Sequence, residues 1–274
     1  MKTLLAIHEV DEKLETLNPF IAVAKSLNAH LNVVVIGVVR IVPMTAAPGV
    51  PDFYYSETNQ EMIEAGKARV GEINQLLADR EISATVTLEC RDPALIEQTF
   101  LRHSLFCDVA LFPNKSVLGS DLMNRAFNGA VLDSGTPVIV LGAQPDPLPK
   151  ISTVMYAWNG ETQAAKAAHQ SLNWTPEGAN AHVVLIDPDE YAMGPNPGDD
   201  LAAYLSRKDL QVTVDRIPSG RRPTSDVLLE HATDINADLL VMGAYGHSRL
   251  RQWFLGGTTR NILEKSNIPV MMAH

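Results

Sequence analysis

Three glycines in the last part of the chain have a spacing that suits an anion-binding loop. Gly243 ends an apolar run, Gly246 follows after two intervening residues, and Gly256 follows after nine more. Because glycine has no side chain, backbone N–H groups at such positions can approach a ligand closely. A helical pattern at residues 260–265 comes soon after, and a helix N-terminus adds free N–H donors and a positive dipole end. The spacing therefore indicates a site for a phosphate-bearing ligand.

Polar residues beside these glycines add candidate ligand contacts. Gly257, Thr258 and Thr259 directly follow the third glycine and offer backbone N–H groups and two hydroxyls. His247 and Arg249 could reach a phosphate from the same segment, but a solvated loop face is an equal alternative for them. The glycines also have an alternative role in a tight turn between a strand and a loop.

The sequence lacks the motifs of common phosphate-transferring enzymes. It contains neither a G-x4-G-K-[ST] loop nor a G-x-G-x-x-G dinucleotide fingerprint. Without a loop lysine, in-line phosphoryl transfer has no charge clamp, so any ATP hydrolysis is expected to be slow. The scattered histidines follow no triad order. We therefore predict no catalytic residues and no metal ligand set, with a slow ATPase kept as an alternative function.

Composition and charge narrow the class of protein. The 274 residues are 46% hydrophobic and 20% charged, which is ordinary for a globular protein. The formal net charge of -10 argues against nucleic-acid binding, which usually needs a basic patch. No apolar stretch approaches the roughly 20 residues that span a bilayer, so we expect no membrane contact. The first residues do not resemble a signal peptide, and two cysteines form no disulfide framework, which predicts a cytoplasmic protein.

The two halves of the chain repeat one plan. Apolar runs at residues 3–7 and 153–158 open the halves, and further apolar runs alternate with helical patterns. Pro137 and Pro269 lie 132 positions apart, each near the start of the last apolar run of its half. Such alternation is typical of β-α-β units with parallel strands. The proline-rich residues 43–51 interrupt the first half and predict an irregular loop.

We therefore predict an α/β protein with two tandem, doubly wound, open parallel sheets of five strands each. The predicted domains are residues 1–142 and 151–274, joined by a proline-rich linker at 143–150. In such sheets ligands bind beyond the carboxyl ends of the strands, where the strand order reverses. Asn159 and Gly243, which follow the first and fourth strands of the second half, are expected to face that crevice.

These features together resemble the universal stress protein family in its tandem two-domain form, as two copies over nearly the whole chain. The family's nucleotide signature, G-x2-G-x9-G-[S/T], is carried by Gly243, Gly246 and Gly256. The resemblance implies the fold of adenine nucleotide alpha hydrolases. It also implies a stress-response regulatory protein that binds ATP, ADP or AMP, with or without Mg²⁺, and acts on a protein partner that the sequence does not name.

The resemblance assigns the base and ribose contacts to five residues. Ala157 and Leu185 match the walls of the adenine pocket. Asn159 matches a strand-end aspartate of the family that contacts adenine; its amide can still bond a base edge, but it lacks the charge. Met242 and Gly243 match the stretch beside the base and the ribose.

The phosphate-loop positions of the family correspond to Gly246, Gly256, Gly257 and Thr258. Gly257 stands where the family has a hydroxyl residue, so one side-chain donor is lost. Thr258 and Thr259 are the candidates to replace that hydroxyl.

The first half departs further from the signature. The positions that match the three glycines are Pro113, Ser116 and Asn124. Proline has no N–H to give a phosphate, and larger side chains would block the approach of the backbone. We therefore expect one nucleotide site per chain, in the second half. The alternative is a scaffold or interaction protein whose crevice holds no functional ligand.

Two further expectations concern a metal ion and assembly. Asp187 and Asp189 could hold a magnesium ion near the nucleotide, although capping of a turn is the favoured interpretation. Since the last strand is a usual pairing edge in this family, residues 137–141 and 268–273 are expected to pair within the chain and make it a pseudo-dimer. A homodimer is the alternative, because exposed sheet edges invite pairing.

Overall fold

The first half of the chain alternates strands and helices. The computed structural model describes residues 1–40, 42–47, 50–54, 57–113, 116–142, 148, 150–244 and 257–274. In chain order the elements of the first half are β1 (Thr3–Glu9), α1 (Asn18–Ser26), β2 (His30–Val38), β3 (Val42–Ala47), β4 (Val50–Tyr54), α2 (Glu57–Asp79), β5 (Ala84–Arg91), α3 (Ile96–Ser104), β6 (Val109–Phe112), α4 (Ser116–Gly119), α5 (Asp121–Asn128) and β7 (Val138–Val140).

The second half follows a similar order, without counterparts of β3 and β4 in the described ranges. Its elements are β8 (Thr153–Ala157), α6 (Thr162–Ser171), β9 (Asn180–Ile186), α7 (Glu190–Met193), α8 (Asp199–Ser206), β10 (Gln211–Ile217), α9 (Thr224–Asp234), β11 (Leu239–Gly243), α10 (Gly257–Lys265) and β12 (Val270–Ala273). None of the helices in the described ranges is long and apolar enough to span a membrane.

The main sheet has ten strands in the order β10-β9-β8-β11-β12-β7-β6-β1-β2-β5. The five strands of each half are parallel to one another, which confirms the predicted α/β class. The two predicted sheets are continuous, as the expected pairing of the last strands of the two halves implies. Strands β7 and β12 pair antiparallel and join the halves into one sheet.

The seam between the halves is short and buried. The pairs across it are Val138 with Met272, Ile139 with Met271, and Val140 with Val270. All six side chains are at most 3% exposed. The pairing predicted between residues 137–141 and 268–273 is therefore observed, and each half covers an edge of the other that would otherwise present unpaired backbone groups.

Apolar side chains cover both faces of the sheet, which is why its central strands are apolar at nearly every position. Ile139 and Met271 belong to the core on one face, together with Tyr156. Val138 and Met272 belong to the core on the other face.

One aspartate in each half fixes the start of the first strand. The Asp108 carboxylate accepts a hydrogen bond from the backbone N–H of Thr3 at 2.6 Å. The Asp238 carboxylate accepts one from the backbone N–H of Thr153 at 2.9 Å. The repeat that the sequence predicted therefore extends to individual hydrogen bonds.

The expectation of an irregular loop at residues 43–51 is wrong. Strands β3 and β4 form a separate antiparallel pair, in which Val42 lies opposite Tyr54 and Ala47 lies opposite Val50. Prolines such as Pro43 are compatible with this pair because both strands of a two-stranded sheet are edge strands. At positions of an edge strand whose backbone nitrogen faces solvent, a proline removes no hydrogen bond of the sheet.

A double cysteine variant tests the seam. Ile139→Cys combined with Met271→Cys should form an intramolecular disulfide on refolding in glutathione buffer. Directly paired Cβ atoms lie about 5 Å apart in antiparallel strands, close enough to be bridged with a small adjustment. Peptide mapping would identify the link. Val138→Cys with Met271→Cys is the control: these positions point to opposite faces, so a bridge there, and none in the first variant, would contradict the register.

Candidate functional site

The strand order of the second half reverses between β8 and β11. Strand β8 pairs with β9 on one side and with β11 on the other. After β10 the chain thus returns across β8 to continue on the opposite side, through β11 and β12. The carboxyl ends of β8 and β11 therefore lie side by side, at the point where open α/β sheets bind their ligands.

Two of the predicted base-contact residues meet at this point. Ala157 of β8 is directly paired with Met242 of β11. Both side chains lie on the face of the sheet that also carries Ala244. Met242 is 7% exposed and Ala157 is half-buried, so this pair forms an apolar floor next to the carboxyl ends of the strands.

Leu185 lies on the opposite face of the sheet from Ala157 and Met242. It is 1% exposed and belongs to the other core. Its Cδ1 atom packs over Gly198, where an added Cβ would be only 2.8 Å away. Neighbouring residues of a strand point to opposite faces of the sheet. This predicted adenine-wall residue therefore lies under the start of α8, on the other face from Ala157 and Met242.

Asn159 is exposed, two residues beyond β8. Its Oδ1 atom accepts a hydrogen bond from the backbone N–H of Glu161 at 3.2 Å, just before α6 begins. Trp158, between the strand and Asn159, packs against the core. Because Asn159 is exposed, turning its amide toward a ligand would break only this solvent-accessible bond.

Gly243, at the end of β11, is in close contact with the first turn of α6. A Cβ at this position would lie 2.6 Å from the backbone nitrogen of Ala164 and 2.8 Å from the carbonyl carbon of Gln163. Backbone atoms cannot move aside as the end of a flexible side chain can. This glycine is therefore required for packing of the helix on the sheet, whatever ligand the crevice holds.

The first turn of α10 carries three of the predicted phosphate contacts. Gly257 and Thr258 are exposed, whereas Thr259 is 6% exposed and faces the core. Thr258 is therefore better placed than Thr259 to offer a hydroxyl to a ligand. Among the described residues, no atom lies within 4 Å of a Cβ added at Gly257.

Four predicted residues, namely Gly246, His247, Arg249 and Gly256, lie outside the described part of the chain. Their assignment depends on the sequence spacing alone.

Asp187 and Asp189 are engaged in turns. The Oδ1 atom of Asp187 accepts a hydrogen bond from the backbone N–H of Ser219 at 2.9 Å. Hydrogen bonds from the Ser219 side chain and backbone lower the pKa of this carboxyl. Asp189 accepts a bond from the backbone N–H of Tyr191 at 2.9 Å. These bonds support the capping interpretation that the sequence favoured.

The corresponding crevice of the first half carries different chemistry. Glu9, the last residue of β1, takes the position of Asn159 and accepts a hydrogen bond from the Ser120 hydroxyl at 3.1 Å. The Glu12 carboxylate accepts one from the backbone N–H of Glu9 at 3.1 Å. Two carboxyl groups therefore stand at the carboxyl end of this strand.

A buried histidine lies beside them. His8 is 0% exposed, and its Nδ1 atom is 3.2 Å from the Thr16 hydroxyl. Burial, with a smaller contribution from Arg69, lowers the pKa of His8 to about 4, so the ring is neutral near pH 7. Of the positions that match the glycines, Ser116 begins α4 and Asn124 lies within α5.

Comparison with known proteins connects this geometry to a family. The sequence pattern of the universal stress protein family matches residues 117–274, more than half of the chain. A universal stress protein of Synechocystis is 44% identical over 46 residues, which are 17% of this chain and 16% of that protein. One of Methanocaldococcus jannaschii is 36% identical over 45 residues, 16% of this chain and 28% of that protein. The matched segments thus span less than a third of either relative.

Solved structures extend the similarity to the whole chain. A universal stress protein of Archaeoglobus fulgidus has a TM-score of 0.71 at 17% identity, covering 99% of this chain and 96% of that one. A protein of Pseudomonas aeruginosa described as a putative universal stress protein has a TM-score of 0.59 at 12% identity, covering 100% and 93%. At such identities the similarity establishes the fold.

Two alanine substitutions separate packing from ligand binding at the glycines. Gly243→Ala should lower the free energy of unfolding by about 1–3 kcal/mol, because its Cβ would collide with the backbone of α6. Gly257→Ala is the matched control and should change it by less than about 1 kcal/mol, since no atom of the described residues contacts a Cβ at Gly257. Urea denaturation measures both; equal losses would contradict the described contact of α6 with β11.

Proposed function

Because the chain belongs to the universal stress protein family, we propose that it is a stress-response regulatory protein that binds one adenine nucleotide between the carboxyl ends of β8 and β11. The observation that supports this proposal most strongly is the position of the glycine signature in the fold. Its first glycine, Gly243, lies at the end of β11 next to β8, where the strand order reverses. That is the usual ligand site of open α/β sheets.

The base of the nucleotide would lie against the strand ends. Ala157 and Met242 provide an apolar surface there, and the exposed amide of Asn159 can donate to and accept from a base edge. Leu185 is a contact in this proposal only if the loop at Gly198 moves, since that loop covers its side chain. Recognition of the base therefore depends mainly on Asn159 and on backbone groups near Met242.

The phosphates would lie at the N-terminus of α10. The exposed residues Gly257 and Thr258 begin this helix, whose unpaired N–H groups and dipole favour an anion. Gly246 and Gly256 would allow the segment at 245–256 to approach the phosphates closely. His247 is a secondary contact, and Mg²⁺ would be held mainly by the phosphates and water.

The first half is proposed to bind no nucleotide. Glu9 and Glu12 at the end of β1 would repel phosphate groups, and neutral His8 supplies no compensating charge. Pro113 replaces the first glycine and has no N–H to donate. In this proposal residues 1–142 form a domain that supports the functional domain, residues 151–274, through the shared sheet.

Regulation would come from the segment that contacts the phosphates. A nucleotide that binds one conformation of the segment from Ala244 to Leu255 more tightly shifts the population toward that conformation, and this change would alter contacts with a protein partner in the cytoplasm. The absence of a loop lysine from the sequence favours binding over phosphoryl transfer.

The first test removes the small residues of the signature. Gly246→Val and Gly256→Val should each weaken binding of a fluorescent ATP analogue more than about 10-fold, or roughly 1.4 kcal/mol, because a branched side chain blocks the approach of the phosphates. Ser116→Val, at the position of the first half that matches Gly246, is the control and should bind like the parent protein. Parent protein that shows no binding at millimolar ATP would instead favour a scaffold function.

The second test restores the side chain that the family has after the third glycine. Gly257→Ser should tighten ATP binding about 10-fold, because a hydroxyl bonded to a charged phosphate contributes on the order of 1.5 kcal/mol. No atom of the described residues lies close enough to a Cβ at Gly257 to hinder the serine. Gly257→Ala is the control for the added Cβ. Equal affinities of the serine and alanine variants would argue against a phosphate at this position.

A further inference from the structure

Two histidines and an aspartate converge at the outer edge of the second half. They come from three elements: His182 from β9, Asp215 from β10 and His231 from α9. The Nδ1 atom of His182 is 2.7 Å from Oδ2 of Asp215, and the Nε2 atom of His231 is 3.2 Å from the same oxygen. The three ligand atoms all lie within 4.8 Å of one another. We propose that these residues bind Zn²⁺ or a chemically similar divalent transition-metal ion.

The donor set fits such an ion. Imidazole nitrogen and carboxylate oxygen are the common ligands of zinc, at about 2.0–2.2 Å. A tetrahedral ion therefore needs donors about 3.3 Å apart, by the same bond lengths. The nitrogen–oxygen separations of 2.7 and 3.2 Å are shorter than that value, so the donors must move slightly apart. Small side-chain rotations would admit the ion.

The exposure of the cluster leaves room for a fourth ligand. The side chains of His182, Asp215 and His231 are 21%, 23% and 19% exposed. They are thus held by their surroundings, and the ion can still enter from solvent. With three protein ligands, a water molecule would complete the tetrahedron.

Regular secondary structure sets the positions of all three donors. Asp215 lies opposite Val184 in the parallel pairing of β10 with β9, and His182 precedes Val184 by two residues on the same strand. Residues two apart share a face, so both side chains project toward the face that α9 covers. Donors on strands and helices hold a geometry better than donors on loops.

The first half has the same strand register without the three donors. Asn32, the third residue of β2, stands where β9 has His182, and Thr87 of β5 stands where β10 has Asp215. A histidine–carboxylate pair does occur nearby, between His103 and Glu89 at 3.0 Å. There the second partner of Glu89 is Arg91, a cation that binds no metal. The first half therefore offers a matched control.

The alternative is a hydrogen-bonded cluster that never takes up a metal. Both imidazoles can donate an N–H to the Asp215 oxygen, and this state is the metal-free form in the proposal as well. On binding, the same two nitrogens would turn lone pairs to the ion and give up those N–H bonds. The ion would tie α9 to the two outer strands of the sheet.

The test is titration of the full-length, untagged protein, freed of metal by chelation, with ZnCl₂ in a calorimeter. The parent protein should bind one strong equivalent. His182→Gln, His231→Gln and Asp215→Asn should each weaken that equivalent by at least about 100-fold, more than loss of an outer-shell partner causes. His103→Gln should bind like the parent protein.

Cobalt gives a readout that a hydrogen-bonded cluster would not produce. The Co²⁺-loaded parent protein should show the strong visible absorption of four-coordinate cobalt, and Asp215→Asn should lose it. Circular dichroism would confirm that each variant is folded. The proposal is overturned if the parent protein takes up no strong equivalent of zinc, or if the three variants bind it as the parent does.

Discussion

The antiparallel pairing of β7 with β12 is the constraint on which the rest of the structure depends. It joins two parallel sheets into one and leaves β5 and β10 as the outer strands. Six buried side chains hold the seam. Because β7 pairs with β12, the strand next to β11 is not an edge strand, and the strands on both sides of the crevice between β8 and β11 are themselves paired within or beyond the second half. A half of this chain on its own would expose that edge and its apolar side chains to water.

The two halves share a strand order and a backbone framework but differ in the polar residues at the ends of their strands. The aspartate bonds at Asp108 and Asp238 repeat, and so does the reversal of strand order. The strand ends diverge: Glu9 faces the crevice in one half and Asn159 follows the strand in the other. Gly243 serves two needs, since the helix α6 requires its missing Cβ and the proposed ligand requires its backbone. The two halves thus share their packing but differ in the polar residues at the strand ends.

The sequence predicts those features that depend on local pattern. Alternating apolar runs and the matching prolines Pro137 and Pro269 are sufficient to predict the strands of the main sheet and the fold class, whereas the paired edges are implied by the family resemblance. Features that depend on register are not predictable in this way. The face on which Leu185 lies is set by register, and so is the meeting of His182 with Asp215, 33 positions apart, and with His231. The prediction of an irregular loop at residues 43–51 is wrong because it takes the prolines to indicate a loop. Strands β3 and β4 instead pair only with each other.

Native mass spectrometry of the untagged protein with ATP tests most directly whether one adenine nucleotide binds per chain. The spectrum should show one bound nucleotide per chain as ATP rises to saturation, because only the second half combines the glycine signature with an uncharged strand end. Two nucleotides per chain would contradict the inactive role of the first half. None at saturating ATP would contradict nucleotide binding in the crevice between β8 and β11.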